Sequence, residues 1–227
     1  RDRYKLDMNK CILERYISAN YQSYNEMNGD NINDVFVDES KRIWLANYPT
    51  GITVIDYRYE NYHWMKHSMG NKQSIVNDQV HAVIEDSDGD LWFGTSNGIS
   101  LYNSGTGEWH SFLSSFNHQL KDKNHIFITL CEVSPGIIWA GGYTSGIYKI
   151  NKADLSVEYF SPYLLSHINM RPDKYIRDMI KDSKGHIWSG GYYNLKCFDL
   201  ATNSVRLYPG VSSITAIAEK DLSLIHI

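Results

Sequence analysis

The chain has 227 residues, of which 42% are hydrophobic and 21% charged, and a net charge of −4, the composition of an ordinary globular protein. No run of Lys or Arg exceeds two residues, which argues against a nucleic-acid or membrane-surface partner, since both demand clustered basic charge. No window approaches the roughly 18 apolar residues of a membrane helix.

Taken in chain order, residues 1–20 read as the end of a unit whose other strands come earlier. Residues 33–67, 80–113, 126–160 and 175–208 then follow one plan. Each opens with a short apolar strand: "NDVFV", "VHAVI", "HIFITL" and "YIRDMI". A turn follows, "DESKR", "DSDGD", "EVSPG" or "DSKGH", and leads into a strand carrying Trp44, Trp92, Trp139 or Trp188. In these turns Asp86 is expected to cap through its side chain, and Gly89 and Gly185 to supply positive φ. Lys41 stands at the glycine position of the first turn, so that turn must differ or carry strain. Pro135-Gly136 is expected to insert one residue into the third. A second turn ends in Gly51, Gly98, Gly146 or Asn194, and Asn is the best substitute for Gly in a left-handed position. The third strands are "ITVID", "ISLYN", "IYKIN" and "LKCFD", and a fourth strand closes each unit.

Two markers keep the same phase. Trp44, Trp92, Trp139 and Trp188 are separated by 48, 47 and 49 residues. Asp7, Asp56, Asn103 and Asn151 precede the next of these Trp by 37, 36, 36 and 37. Four antiparallel strands at a period of about 48 describe the blade of a β-propeller. The fold expected is therefore all-β: a propeller fragment of four complete four-stranded blades, with partial blades at both ends and the ring not closed. The four Trp are read as fillers between blades. Residues 212–221 read as the first strand of a further blade. The final "LSLIHI", residues 222–227, matches a translated sequencing-library adapter, so the natural sequence is expected to stop near Asp221. An isolated piece of this kind would expose apolar blade faces, and marginal stability is expected of it.

The pattern Asp-x-x-Gly-x-aliphatic-Trp followed by Gly-x-x-x-Gly resembles the two-component regulator propeller repeat. It is most complete in Asp86, Gly89, Trp92, Gly94 and Gly98, and again in Asp182, Gly185, Trp188 and Gly190. The resemblance implies the periplasmic sensor region of a Bacteroidetes-type hybrid two-component histidine kinase. It further implies oligosaccharide inputs, and a parent protein carrying further blades, a membrane span and signalling domains and able to form a homodimer. Kelch blades compete, since "AGGY" and "SGGY" match their double glycine, and a protein-interaction scaffold follows from that reading. A glycan-active propeller enzyme or lyase is the third reading.

Chemical motifs are few. "GTSNG" (94–98) fits the Gly-x-Ser-x-Gly elbow by letter, but the elbow needs a strand-to-helix turn and this one joins two strands. "DSDGD" (86–90) suggests calcium, but its glycine falls too early for an EF-hand loop. The nine His form no HExxH, and the three Cys (Cys11, Cys131, Cys197) form no metal spacing. No catalytic residue, metal or cofactor is expected. The ligand candidates lie four residues after each anchor Trp, where Tyr48, Ser96, Tyr143 and Tyr192 stand, with Tyr193 and Asn194 beside the last. Tyrosine offers a stacking face for a sugar and a hydroxyl to bond it. The loops between blades add His67, Asn71, His118, His167 and Arg171, of which Arg171 suits an acidic sugar's carboxylate. The plain alternative is that these tyrosines only cover the blade tops.

Overall fold

The computed structural model describes residues 3–7, 12–16, 31–49, 51–56, 61–116, 124–160, 174–220 and 223–226. Four antiparallel four-stranded sheets stand in sequence order. The first blade is β3 (Asn31–Val37), β4 (Ile43–Tyr48), β5 (Gly51–Asp56) and β6 (Asn61–Met65). The second is β7 (Val80–Glu85), β8 (Leu91–Thr95), β9 (Gly98–Tyr102) and β10 (Trp109–Phe112). The third is β11 (Phe127–Ser134), β12 (Ile137–Gly142), β13 (Ile147–Asn151) and β14 (Ser156–Phe160). The fourth is β15 (Ile176–Lys181), β16 (Ile187–Gly191), β17 (Leu195–Asp199) and β18 (Ser204–Tyr208). Two-stranded hairpins flank them: β1 (Arg3–Asp7) with β2 (Ile12–Tyr16), and β19 (Ile217–Lys220) with β20 (Ser223–His226). Residues 223–226, expected to lie outside the natural sequence, thus pair with β19. The described strands form an open array of propeller blades.

The register repeats. Trp44, Trp92, Trp139 and Trp188 lie opposite Phe36, Ile84, Cys131 and Ile180 of the preceding strand. Each blade buries its sides against the next, as stacked repeats do. Trp92, Leu101 and Phe112 of the second blade meet Phe127, Leu130 and Tyr148 of the third in one core layer. Trp44 with Val83 and Phe93, and Trp139 with Met179 and Phe198, make equivalent layers on either side. Trp44, Trp92 and Trp139 are 1%, 0% and 1% exposed, whereas Trp188, facing only the β19 side, is half-buried.

The Asp-to-Trp spacing has a local cause. Asp86 accepts the amides of Asp88 and Asp90 at 3.0 Å with one carboxylate oxygen and the indole N–H of Trp92 at 2.8 Å with the other. Trp44 donates in the same way to Asp38 at 3.0 Å, and Trp188 to Asp182 at 2.8 Å. One side chain therefore closes the turn and orients the ring six residues later. In the third blade Val133 occupies that place and is buried against the neighbouring core.

Three turn details differ from expectation or sharpen it. Lys41 adopts φ 65°, so the first turn keeps its shape and the lysine carries the strain. Pro135-Gly136 adds no residue: the interval from Cys131 to its partner Trp139 equals that from Ile84 to Trp92, and a register shift at Val133 accommodates the different turn. Asn194 is not in a left-handed conformation, unlike Gly51, Gly98 and Gly146 at φ 98°, 100° and 81°. The β16–β17 ladder stops at the Ser189–Lys196 pair, and the wider loop relieves residue 194 of that requirement.

Neighbouring blades approach closely two residues after the anchor Trp. A Cβ on Gly94 would lie 2.8 Å from the Phe127 carbonyl oxygen, and one on Gly190 would lie 2.6 Å from Ile214 Cγ2.

Candidate ligand-binding site

The β8–β9 turn and its counterparts lie at one end of the blades. Tyr48 ends β4, and its ring centroid stands 5.9 Å from that of His81. Tyr143 meets Tyr175 edge-on at 5.2 Å, and Tyr175 stacks on Tyr192 at 4.2 Å with planes 22° apart. Tyr143 and Tyr192 remain 43% and 55% exposed, so the triad presents aromatic surface to solvent. Tyr193 is about equally exposed and Asn194 is half-buried. Arg171, His118 and His167 lie outside the described residues. Of the sequence candidates, Tyr143 and Tyr192 are thus brought together, and the residue joining them, Tyr175, was not among them.

A second set of residues escaped the sequence reading. Each innermost strand carries a register shift at the same place: between Ile32 and Asp34, Val80 and Ala82, Phe127 and Thr129, and Ile176 and Asp178. The extra residues are Asn33, His81, Ile128 and Arg177. A β-bulge re-aims its side chain out of the sheet's alternation. Asn33 Nδ2 donates to the Val80 carbonyl at 3.1 Å and faces His81 Nδ1 at 3.4 Å. On the other side of the ring, His81 Nε2 is hydrogen-bonded to Ser96 Oγ at 2.8 Å. Burial, with the Arg177 charge adding to it, holds the His81 pKa below its ordinary value. Arg177 is exposed, and its charge acts on the Tyr175 hydroxyl.

Next to two of the bulges stand Asp34 and Asp178. Burial pushes both carboxyls above the ordinary range, against the pull of backbone amides. Asp34 accepts Val83 N at 3.0 Å, and Asp178 accepts Ile217 N at 2.6 Å, each amide belonging to the next inner strand. These carboxylates tie adjacent blades together.

Between the second and third blades an open pocket of about 690 Å³ is lined by Ser96, Asn97, Asn124, His125, Thr144 and Lys174. Asn124 donates to Thr144 Oγ1, and Ser145 donates to the Asn124 carbonyl at 2.7 Å. Amides and hydroxyls of this kind recognise neutral polar ligands. Ser96 itself occupies a two-residue turn between β8 and β9, closed by the Thr95–Gly98 pair. It therefore lacks the strand-to-helix setting of an elbow nucleophile. The "DSDGD" turn encloses an ammonium: Lys152 Nζ lies 2.7, 2.8 and 2.9 Å from Asp86, Asp88 and Asp90. Among the described residues no three His, Cys, Asp or Glu are grouped to hold a metal.

Residues 74–97 match the family model of the two component regulator propeller. The fold of the repeat array is similar to the extracellular domain named for the hybrid two component system BT3049 of B. thetaiotaomicron. The TM-score is 0.77 at 21% identity, over 95% of this chain and 28% of that one. The corresponding domain of BT4673 from the same organism gives 0.63 at 16% identity, over 87% and 25%. Virginiamycin B lyase of Staphylococcus aureus gives 0.65 at 14% identity, over 85% and 61%. The chain thus spans little more than a quarter of the length of the hybrid-system domains it resembles. No curated protein matches it in sequence.

Proposed function

We propose that this propeller is the ligand-sensing, extracytoplasmic part of a two-component signalling protein, and that its ligand is an oligosaccharide. The observation that carries the reading is the solvent-facing stack of Tyr143, Tyr175 and Tyr192 beside a hydroxyl- and amide-lined pocket. Flat aromatic faces accept the C–H faces of a sugar ring, and the neighbouring polar groups bond its hydroxyls. The family repeat and the likeness to extracellular domains of hybrid two component systems support a periplasmic or extracellular setting. The remaining blades and the signalling domains of the parent are its partners under this reading, and the parent acts as a homodimer.

Calorimetry of the chain against a panel of oligosaccharides tests it. Binding without product formation is expected. Tyr175→Ala, which removes the middle ring of the stack, is expected to weaken binding about tenfold, the scale of one good aromatic contact. Turnover of any member of the panel sinks the sensor reading in favour of an enzyme. Binding of none of them favours a protein-interaction scaffold.

A further inference from the structure

Resting on that reading, we infer that the bulge residues of the inner strands form a subsite for an anionic group of the sugar, with Arg177 as its charge partner. The four bulges sit at one level, and a bulge is the backbone device that turns a strand side chain out of its usual alternation. Of the residues so turned, Asn33 and Arg177 are exposed, and His81 touches Asn33 and feels the Arg177 charge. Arg177 takes part in none of the ion pairs among the described residues. Its charge acts on the hydroxyl of Tyr175, the middle ring of the aromatic stack. The guanidinium is therefore held at the edge of the surface on which a sugar would lie.

The acidic side chains nearby are turned elsewhere. Asp34 and Asp178 direct their oxygens at Val35 N, Val83 N, Met179 N and Ile217 N. The inner strands thus satisfy these carboxylates mainly with backbone donors, and Arg177, whose charge acts on Asp178, forms no ion pair with it. The Ser96 hydroxyl, hydrogen-bonded to His81 Nε2 at 2.8 Å, adds a polar group at this edge. A planar guanidinium matches a carboxylate in a bidentate fork, so a uronate is the favoured occupant, and a sulfate ester shares the chemistry.

The test compares a panel of uronate oligosaccharides with the same compounds after reduction of their carboxyls to primary alcohols, and with sulfated neutral oligosaccharides. Each is titrated into the wild-type chain, Arg177→Gln, Arg177→Lys and Tyr175→Ala. The expected result is uronate binding that Arg177→Gln weakens about 10- to 100-fold, as loss of a charge-assisted hydrogen bond does, with partial recovery in Arg177→Lys. Carboxyl-reduced compounds are expected to bind the wild type weakly and to ignore residue 177. Preference for the sulfated set, lost in the same variant, keeps the anionic subsite and changes its occupant. Binding of carboxyl-reduced compounds as tight as uronates, sensitive to Tyr175→Ala and indifferent to Arg177→Gln, overturns the subsite while the sensor reading stands. Binding of nothing in any set overturns both.

Discussion

The facing sides of the second and third blades and the outer side of the fourth carry the same motif in different surroundings. At the first, Trp92 is fully buried, and the turn carboxylates surround Lys152 from the next blade. Ser87 also donates its amide and hydroxyl to Glu132 across the gap, at 2.8 and 2.9 Å. At the fourth, Trp188 keeps its bond to Asp182 and Ser183 keeps an identical grip on Glu219, yet the ring is only half-covered. A cavity of about 330 Å³ lies there, bordered by Asp182, His186, Trp188 and Arg206. His186 rather than a lysine of another blade meets the turn carboxylate, at 3.0 Å. The motif's hydrogen bonds are therefore a property of one blade, whereas burial and the cationic clamp are supplied by the neighbour. The motif shapes a blade; adjacency stabilises it.

The sharpest way to break this comparison is to delete the rings. Trp92→Ala is expected to lower unfolding free energy by about 3–5 kcal/mol, and Trp188→Ala by about half that or less, read from urea melts. Equal losses would show that coverage by the next blade is not what makes the ring count. Lys152→Met comes next, with an expected loss of about 3 kcal/mol, because the Asp86 carboxylate is left buried without its cation. Adding Asp86→Asn to that variant should recover part of the loss; no recovery would assign Lys152 a packing role alone.

Acid titration sharpens the electrostatic half. Burial opposes the Asp182 charge, but the Trp188 indole, the His186 ring and backbone amides outweigh it and lower the pKa to about 2. A carboxyl with a depressed folded pKa contributes stability above its unfolded value, near 3.9, and loses that contribution as pH falls toward 2. Asp182→Asn should thus be about 1–2 kcal/mol less stable than the parent at pH 6 and indistinguishable from it near pH 2. A gap independent of pH would mean the bond geometry matters and the charge does not. The smallest effect concerns the first turn. Lys41→Gly, at φ 65°, is expected to gain about 0.5–1 kcal/mol, while Gly89→Lys at φ 82° loses a similar amount in thermal melts.

Much of this architecture was legible in the chain because it rests on residue types that few positions tolerate. A large ring at a fixed interval, an aspartate six residues before it and a glycine between them leave a periodic signature. The bulge residues leave none. Asn33, His81, Ile128 and Arg177 share no chemistry, and a bulge is a count of residues against a partner strand that is visible only once the strands are paired. "YIRDMI" reads as one more apolar strand, and nothing in its pattern sets Tyr175 and Arg177 apart from their neighbours. Asn194 shows the opposite error, in which a residue suited to left-handed backbone was assigned a turn whose ladder ends too early to need it. In the third blade, Val133 displays how a motif can lose its aspartate and keep its tryptophan, since the neighbour's core still holds the ring.

The small residues two places after the anchors carry a consequence for ancestry. Gly94 and Gly141 are thin places where the next blade's inner strand lies against the sheet, at Phe127 and Ile176, and Ala46, 1% exposed, fills the same place at the first junction. A duplicated blade can be inserted beside any neighbour whose inner strand fits that edge, and beside no other. Modular growth of such a protein is thereby constrained at one position per module: whole blades can be gained or exchanged, while a single added methyl group at a glycine edge is refused.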